Sequence, residues 1–346
     1  MKKLVVGLLT AVSLLAMSAC GADQKNTAQT SSSTKESAEV SSGASKQAYT
    51  DPKEMKESYD IVIVGAGGAG MAAAIEAKDA GLNPVIFEKM PVAGGNTSKS
   101  SSGMNASETK FQKEEGIEDS NEAFYEETLK GGGGTNDKEM LRYFVNHSAD
   151  AIDWLDQNGI KLDNLTITGG MGEKRTHRPS DGSAIGGYLV DGLLNSVHER
   201  KIPIFVNTDV TDIKKNGETV NEVTVHVQGE EPKKITGKAI VVTTGGFGAS
   251  KEFIERYRPD LADYITTNQE GSTGDGITMI EKLGGQTVDM DKIQIHPTVQ
   301  QDEGILIGEV VRGEGAILVN QEDKRFVNEM DTRDKVSACL LYTSDA

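Results

Sequence analysis

The chain has 346 residues, with 36 Lys and Arg against 53 Asp and Glu and a net charge of −17. That balance disfavours nucleic acid and anionic membrane surfaces as partners, while the length allows a two-domain core with flexible ends. A protein this acidic binds an acidic substrate only through a local basic pocket, so the basic residues toward the C-terminal end matter more than the total.

Lys2 and Lys3 precede an apolar run over residues 4–15, too short to span a bilayer comfortably. Met17-Ser18-Ala19-Cys20 follows and resembles a bacterial lipobox. The pattern predicts a signal peptide over residues 1–19, cleavage before Cys20 and lipidation of Cys20. Two or more acyl chains there give stable anchoring to the outer face of a bacterial membrane. An ordinary cleaved signal with an incidental cysteine is the plainer alternative. Cys339 is the only other cysteine, so a lipidated Cys20 leaves no intrachain disulfide. No Cys-x-x-Cys-His sequence offers this chain a c-type haem of its own. Residues 20–55 are rich in Ser, Thr, Ala, Lys and Glu and bury too little to offset their ordering entropy, which predicts a disordered tether.

From Tyr59 the texture changes. Asp60-Ile61-Val62-Ile63-Val64 is a β-branched run of buried-strand type. It enters Gly65-Ala66-Gly67-Gly68-Ala69-Gly70 and an Ala-rich helical stretch to Ala80, with Gly81 at the helix C-cap. Pro84-Val85-Ile86-Phe87 is a second strand ending at Glu88, which completes a βαβ unit. Gly65 permits a tight turn, Gly67 lets the backbone approach a pyrophosphate, and Gly70 allows close packing of helix on strand. Gly68 and Ala69 open the helix, whose N-terminus presents free N–H groups and partial positive charge to phosphates. Glu88 stands about twenty residues on, where a carboxylate accepts from ribose hydroxyls. The pattern does not separate NAD from FAD.

Downstream, residues 121–130 and 138–157 read as helical, and 204–206, 220–227 and 239–243 as strands. This mixture fits an α/β domain with an antiparallel insert.

Several motifs then occur in order: Gly94-Gly95-Asn96-Thr97, Ser102-Gly103-Met104-Asn105-Ala106, Thr176-His177-Arg178-Pro179, Thr244-Gly245-Gly246-Phe247 and Thr273-Gly274-Asp275-Gly276. Together they resemble the flavoprotein family of fumarate reductases and succinate dehydrogenases, in particular the soluble fumarate reductases of flavocytochrome c type. The resemblance runs from about residue 59 to 340. It implies an α/β fold, with a Rossmann-type FAD-binding domain over residues 56–285 and an α+β capping domain from 286 to 346. FAD would be bound non-covalently, with Glu88, Asn96, Thr97, Gly103, Val210, Gly245 and Asp275 along it. The family's usual glycine before Gly103 is Ser102 here. His177 and Arg178 read equally as a loop anchored by a neighbouring carboxylate or as residues beside the flavin.

The final stretch adds Gln294-Ile295-His296-Pro297-Thr298, Glu309-Val310-Val311-Arg312-Gly313, Arg325-Phe326-Val327-Asn328-Glu329 and Thr332-Arg333-Asp334. Singly, Glu309 with Arg312, or Arg333 with Asp334, reads as a surface ion pair. Jointly they resemble the active-site run of soluble fumarate reductases. In that reading flavin N5 delivers hydride to an alkene carbon and Arg333 protonates its neighbour. Glu309 and Arg312 connect Arg333 to solvent, and His296 donates a hydrogen bond to a substrate carboxylate. The substrate is then a small unsaturated carboxylate, fumarate first. Leu306 and Gly308 replace a methionine and a threonine usual in the family, so urocanate, methacrylate or an aryl-acrylate is an alternative. A related flavin dehydrogenase and a non-catalytic electron-relay or ligand-binding lipoprotein are the others. An electron-donor protein is implied, with FMN or haem only on that partner or on a further domain. The family pattern continues well beyond this chain, whose tail from Cys339 departs from it; the expectation is a fragment truncated within the capping domain.

Overall fold

The computed structural model describes residues 49–342 except Gln301 and Glu303. The expected signal peptide, Cys20, the tether up to residue 48 and the last four residues lie outside the described residues. In chain order a 3-10 turn, Pro52–Glu54, leads to β1 (Ser58–Val64), α1 (Gly68–Asp79), β2 (Pro84–Phe87) and β3 (Met104–Asn105). Four helices follow: α2 (Lys110–Glu114), α3 (Asn121–Gly131), α4 (Lys138–Asn146) and α5 (Ser148–Gln157). Then come β4 (Asn164–Thr166), β5 (Thr176–Arg178), α6 (Ile185–Glu199), β6 (Ile204–Phe205), β7 (Thr208–Asn216), β8 (Thr219–Val227) and β9 (Lys233–Val242). The remainder holds α7 (Lys251–Tyr257), α8 (Asp275–Lys282), β10 (Val299–Gln300), β11 (Ile305–Leu306), α9 (Glu309–Gly313) and α10 (Arg333–Tyr342).

The main sheet has the order β6-β2-β1-β9-β8-β7. The first four strands are parallel, and β8 and β7 continue the same sheet antiparallel. Central β1 is covered on both sides, as its unbroken apolar run predicts. Ile63, with Ile86 of β2, faces α1 and α6 in one core with Met71, Ala74, Leu193 and Val197. Val62 and Val64 face the opposite core with Phe87, Val210, Val223 and Met279. In α1 the buried Met71, Ala74 and Ile75 follow helical spacing, and the alanines let the helix lie close to the sheet.

The structure departs from the sequence reading in four places. Folded chain begins before residue 55: the Thr50 amide donates to the Ile204 carbonyl at 2.9 Å, and the Tyr49 hydroxyl accepts from the Ala93 amide at 2.9 Å. One aromatic side chain and edge pairing to β6 order a segment whose composition reads as tether. The helix expected over 138–157 is two helices that meet at His147. The break sends Leu141 and Val145 to a small cluster with α3, and Ile152 and Leu155 to the main core. The antiparallel strands are an extension of the main sheet, and their edge strand β7 lies outside the expected strands. Its half-exposed Thr-Asp-Val-Thr-Asp-Ile-Lys-Lys-Asn sequence shows the charged character that suits an edge. Finally, the arginine held by carboxylates is Arg175, not Arg178. Arg175 is 1% exposed; its Nε and Nη2 donate to Asp119 at 2.7 and 2.6 Å, and its Nη1 donates to Glu127.

Candidate active site

The turn after β1 shapes a cavity of about 390 Å³ over the C-terminal edge of the parallel strands, within the range of small-molecule sites. Gly65 takes φ +107°, and a Cβ there would sit 2.6 Å from the Thr243 carbonyl oxygen. At Gly70 a Cβ would fall 2.0 Å from the Gly65 carbonyl oxygen. Both glycines are therefore required by backbone crossing backbone. Gly65, Gly67, Gly68 and Ala69 form the wall of the cavity at the start of α1, where the first helical amides have no intrahelical acceptor. The Gly68 amide donates to Thr97 Oγ1 at 3.0 Å, tying the helix start to the next loop.

Glu88 is also in the wall and is 7% exposed. Its Oε2 accepts from the Ala66 amide at 2.8 Å and its Oε1 from the Met90 amide at 2.9 Å. These bonds orient the carboxylate and leave lone pairs for two further hydroxyl donors. Val210, Gly245 and Asp275 of the expected set also line the wall, whereas Gly70 does not. A dinucleotide's pyrophosphate and ribose fit this donor and acceptor arrangement.

Asn96 lines the cavity but spends its amide on the segment across it. Its Nδ2 donates to Asn268 Oδ1 at 2.6 Å and to Ser272 Oγ at 3.1 Å, and its Oδ1 accepts from the Gln269 amide at 2.7 Å. Lys89, which the sequence reading passed over, closes the same segment by pairing with Asp275 and donating to Thr273 Oγ1 at 2.7 Å. Its position directly after Glu88 was the available signal. Asp209, also in the wall, is pushed upward in pKa by burial and then by Asp275.

Gly103 and His177 are not in the cavity wall. A Cβ at Gly103 would lie 2.4 Å from the His177 carbonyl oxygen, so the glycine serves close packing of β3 on β5. His177 is fully buried, with Nδ1 on the Arg175 carbonyl at 2.7 Å and Nε2 on Thr109 Oγ1 at 2.8 Å. Burial lowers its pKa, and both ring nitrogens are engaged by neutral groups. Its partners are neutral groups rather than a carboxylate, and it is not among the residues that line the cavity. Arg178 Nη2 donates to the Ser183 carbonyl at 3.2 Å.

The four residues of the C-terminal motifs assemble together. Arg333 opens α10 and Glu309 opens α9. Arg333 Nε and Nη2 donate to the two oxygens of Glu309 at 2.6 and 2.8 Å, and Nη1 donates to Gln294 Oε1 at 2.7 Å. Such a fork on a carboxylate fixes direction as well as charge. Arg312, 5% exposed, reaches Glu309 Oε1 at 3.4 Å and the Glu329 carbonyl at 3.0 Å. Glu329 is in turn held by Arg325 and by the Leu318 amide. Burial raises the pKa of Glu309, but the Arg333 hydrogen bonds and the charges of Arg333 and Arg312 outweigh it and leave the carboxyl below its usual value. Burial, with the Arg333 charge, lowers the pKa of Arg312.

His296 Nδ1 accepts from the Thr298 amide at 3.3 Å, which places the ring proton on Nε2. That Nε2 is buried and has no partner among the described residues, and neither does Nε of Arg312. Two orphaned buried donors beside a charged pair are what an anionic ligand satisfies. Burial and then the Arg333 charge hold the His296 pKa below its usual 6.5. A histidine whose folded pKa lies below its unfolded one binds fewer protons when folded, so it costs stability as pH falls through about 6.5. His296→Gln is therefore expected to narrow the loss of stability between about pH 7.5 and 5, read from denaturant midpoints against the parent. Parallel pH profiles would rule out a buried neutral imidazole.

Residues 60–344 match the family model described as FAD binding domain. The chain is 53% identical over 285 residues to the NADH:fumarate oxidoreductase of Klebsiella pneumoniae (strain 342), covering 82% of this chain and 31% of that protein. It is 40% identical over 286 residues to the fumarate reductase (cytochrome) of Shewanella frigidimarina, covering 82% of this chain and 50% of that one. Among solved structures, the open conformation of a flavocytochrome c3 fumarate reductase matches with a TM-score of 0.74 at 39% identity, over 84% of this chain and 51% of that one. The chain thus spans 31–50% of the length of these two curated relatives.

Proposed function

Because the chain belongs to the FAD binding domain family, we propose that it holds the flavin-binding and proton-delivering parts of an enzyme that reduces fumarate to succinate. This reading rests on one observation above all: the forked Arg333–Glu309 pair with the orphaned Nε2 of His296 in the same charged cluster. Reduced FAD, held against Gly65, Gly67, Gly68, Ala69 and Glu88, would supply the hydride for one alkene carbon. Arg333 gives the proton to the other. A guanidinium is a weak acid, so the step requires prompt replacement of that proton. Glu309 does this by passing a proton along its bond to Arg333 and taking one from Arg312, which is reprotonated from solvent. His296 Nε2–H donates to a substrate carboxylate, and the fixed cations stabilise negative charge that develops during reduction.

In this reading residues 56–285 hold the flavin and residues from 286 cap it. The whole protein is anchored by lipid on Cys20 at the outer face of a bacterial membrane and takes electrons from a separate carrier. The signal-like pattern of residues 2–20 supports the anchor, and fatty-acid labelling that persists in Cys20→Ala would remove it. The decisive assay is oxidation of reduced viologen by the full-length flavoprotein on adding fumarate. Flavin present without fumarate-dependent oxidation would sink the substrate assignment. A different enoate is the second reading, favoured by Gly308, which puts no side chain ahead of Glu309.

A further inference from the structure

Ser101 stands where the flavin cradle meets the charged cluster. It follows the Gly95–Lys99 turn, whose Gly95, Asn96 and Thr97 line the cavity. Its side chain lies against Gly308, the residue before Glu309. A Cβ on Gly308 would fall 2.6 Å from Ser101 Oγ and 3.1 Å from Ser101 Cβ, with Ser102 Oγ at 4.0 Å. The Ser101 hydroxyl thus fills the space into which a side chain at 308 would project. Gly308 is buried and Ser101 half-buried. The Ser101 hydroxyl has no hydrogen-bond partner among the described residues.

A substrate that takes a proton from Arg333 and faces the cavity at the same time must cross this seam. Gly308 leads directly into Glu309, the carboxylate held by Arg333 and Arg312, so an uncommitted O–H beside it is a further donor for an anion. We infer that Ser101 is a specificity-determining residue whose hydroxyl donates to a carboxylate of the unsaturated acid. The inference rests on the reductase reading above. Gly308 is its counterpart: any side chain at that position displaces the hydroxyl.

The test uses full-length holoenzyme, fumarate and reduced viologen, together with titration of the oxidised flavin's absorbance by fumarate to obtain a dissociation constant. Ser101→Ala should retain its flavin and raise both KM and the dissociation constant by about tenfold or more, the usual weight of a hydrogen bond to a charged group. Its kcat should stay within about threefold, since Arg333 and Glu309 are untouched. Gly308→Ser alone should weaken binding by crowding Ser101. The exchange Ser101→Gly with Gly308→Ser moves the hydroxyl across the seam and should recover most of the lost affinity. An active parent whose Ser101→Ala form keeps its affinity within about twofold overturns the inference, as does an exchange variant no better than Ser101→Ala. A flavin-replete parent inactive on every enoate overturns the reductase reading and this inference together.

Discussion

Replacing Arg333 with alanine is expected to lower kcat for fumarate reduction by at least about a thousandfold while leaving the flavin bound. General-acid groups contribute about 10²–10⁴-fold, and a charge aimed at the reacting atoms adds to that. Arg333 does not line the flavin cavity, so cofactor content is the internal control. The substitution also strips Glu309 of its forked partner and leaves Arg312, at 3.4 Å, as its remaining cation. Some loss of stability should follow, visible as a lower denaturation midpoint. Arg333→Lys separates the two effects: it keeps a cation near Glu309 but cannot reproduce the fork, so stability should recover more than turnover. Alanine variants that turn over within tenfold of the parent would remove proton delivery from Arg333.

The second large effect is structural. Arg175→Ala is expected to destabilise the protein by about 3–5 kcal/mol, the usual result of removing one partner from a buried pair. Asp119 has a side chain with 0% exposure and loses both of its arginine bonds, while Glu127 loses a third. At about 2–4 °C per kcal/mol for a domain of this size, Tm should fall by roughly 10 °C. The damage should reach the charged cluster. The loop next to Arg175 carries Gly170, whose amide donates to the Met330 carbonyl at 2.9 Å. A Cβ on Gly169 would meet the Asp331 carbonyl oxygen at 2.9 Å, and one on Gly313 would meet the Ile167 carbonyl oxygen at 2.3 Å. That loop therefore seats both α9 and the start of α10. A Tm within about 2 °C of the parent, below the shift expected for 1 kcal/mol, would show that the clamp contributes little.

Much of the flavin site was legible in the chain because it is local. A strand, a glycine turn, a helix and a second strand ending in Glu88 lie within residues 58–88. Each part announces itself by β-branched runs, by glycine where a Cβ has no room, or by helical spacing. The Glu309–Arg312 pair is legible for the same reason, being three residues apart on one helix. Resemblance supplied the rest of the expected site residues, and most of them stand on the cavity wall or in the charged cluster.

Only the tertiary structure decided which side chains are spent on the protein and which remain for a ligand. Asn96 is committed to residues 268–272, Asp275 to Lys89, and His177 to Thr109 and a backbone carbonyl, whereas His296 Nε2 and Ser101 Oγ stay free among the described residues. Periodicity and propensity report on neighbours within a turn or a strand. Pairings such as Lys89 with Asp275, 186 residues apart, depend on how the sheet orders its strands and where the loops cross it. Hydrogen-bond saturation is a property of that crossing, so the sequence named the residues, and the folded chain determined which of them were left to act.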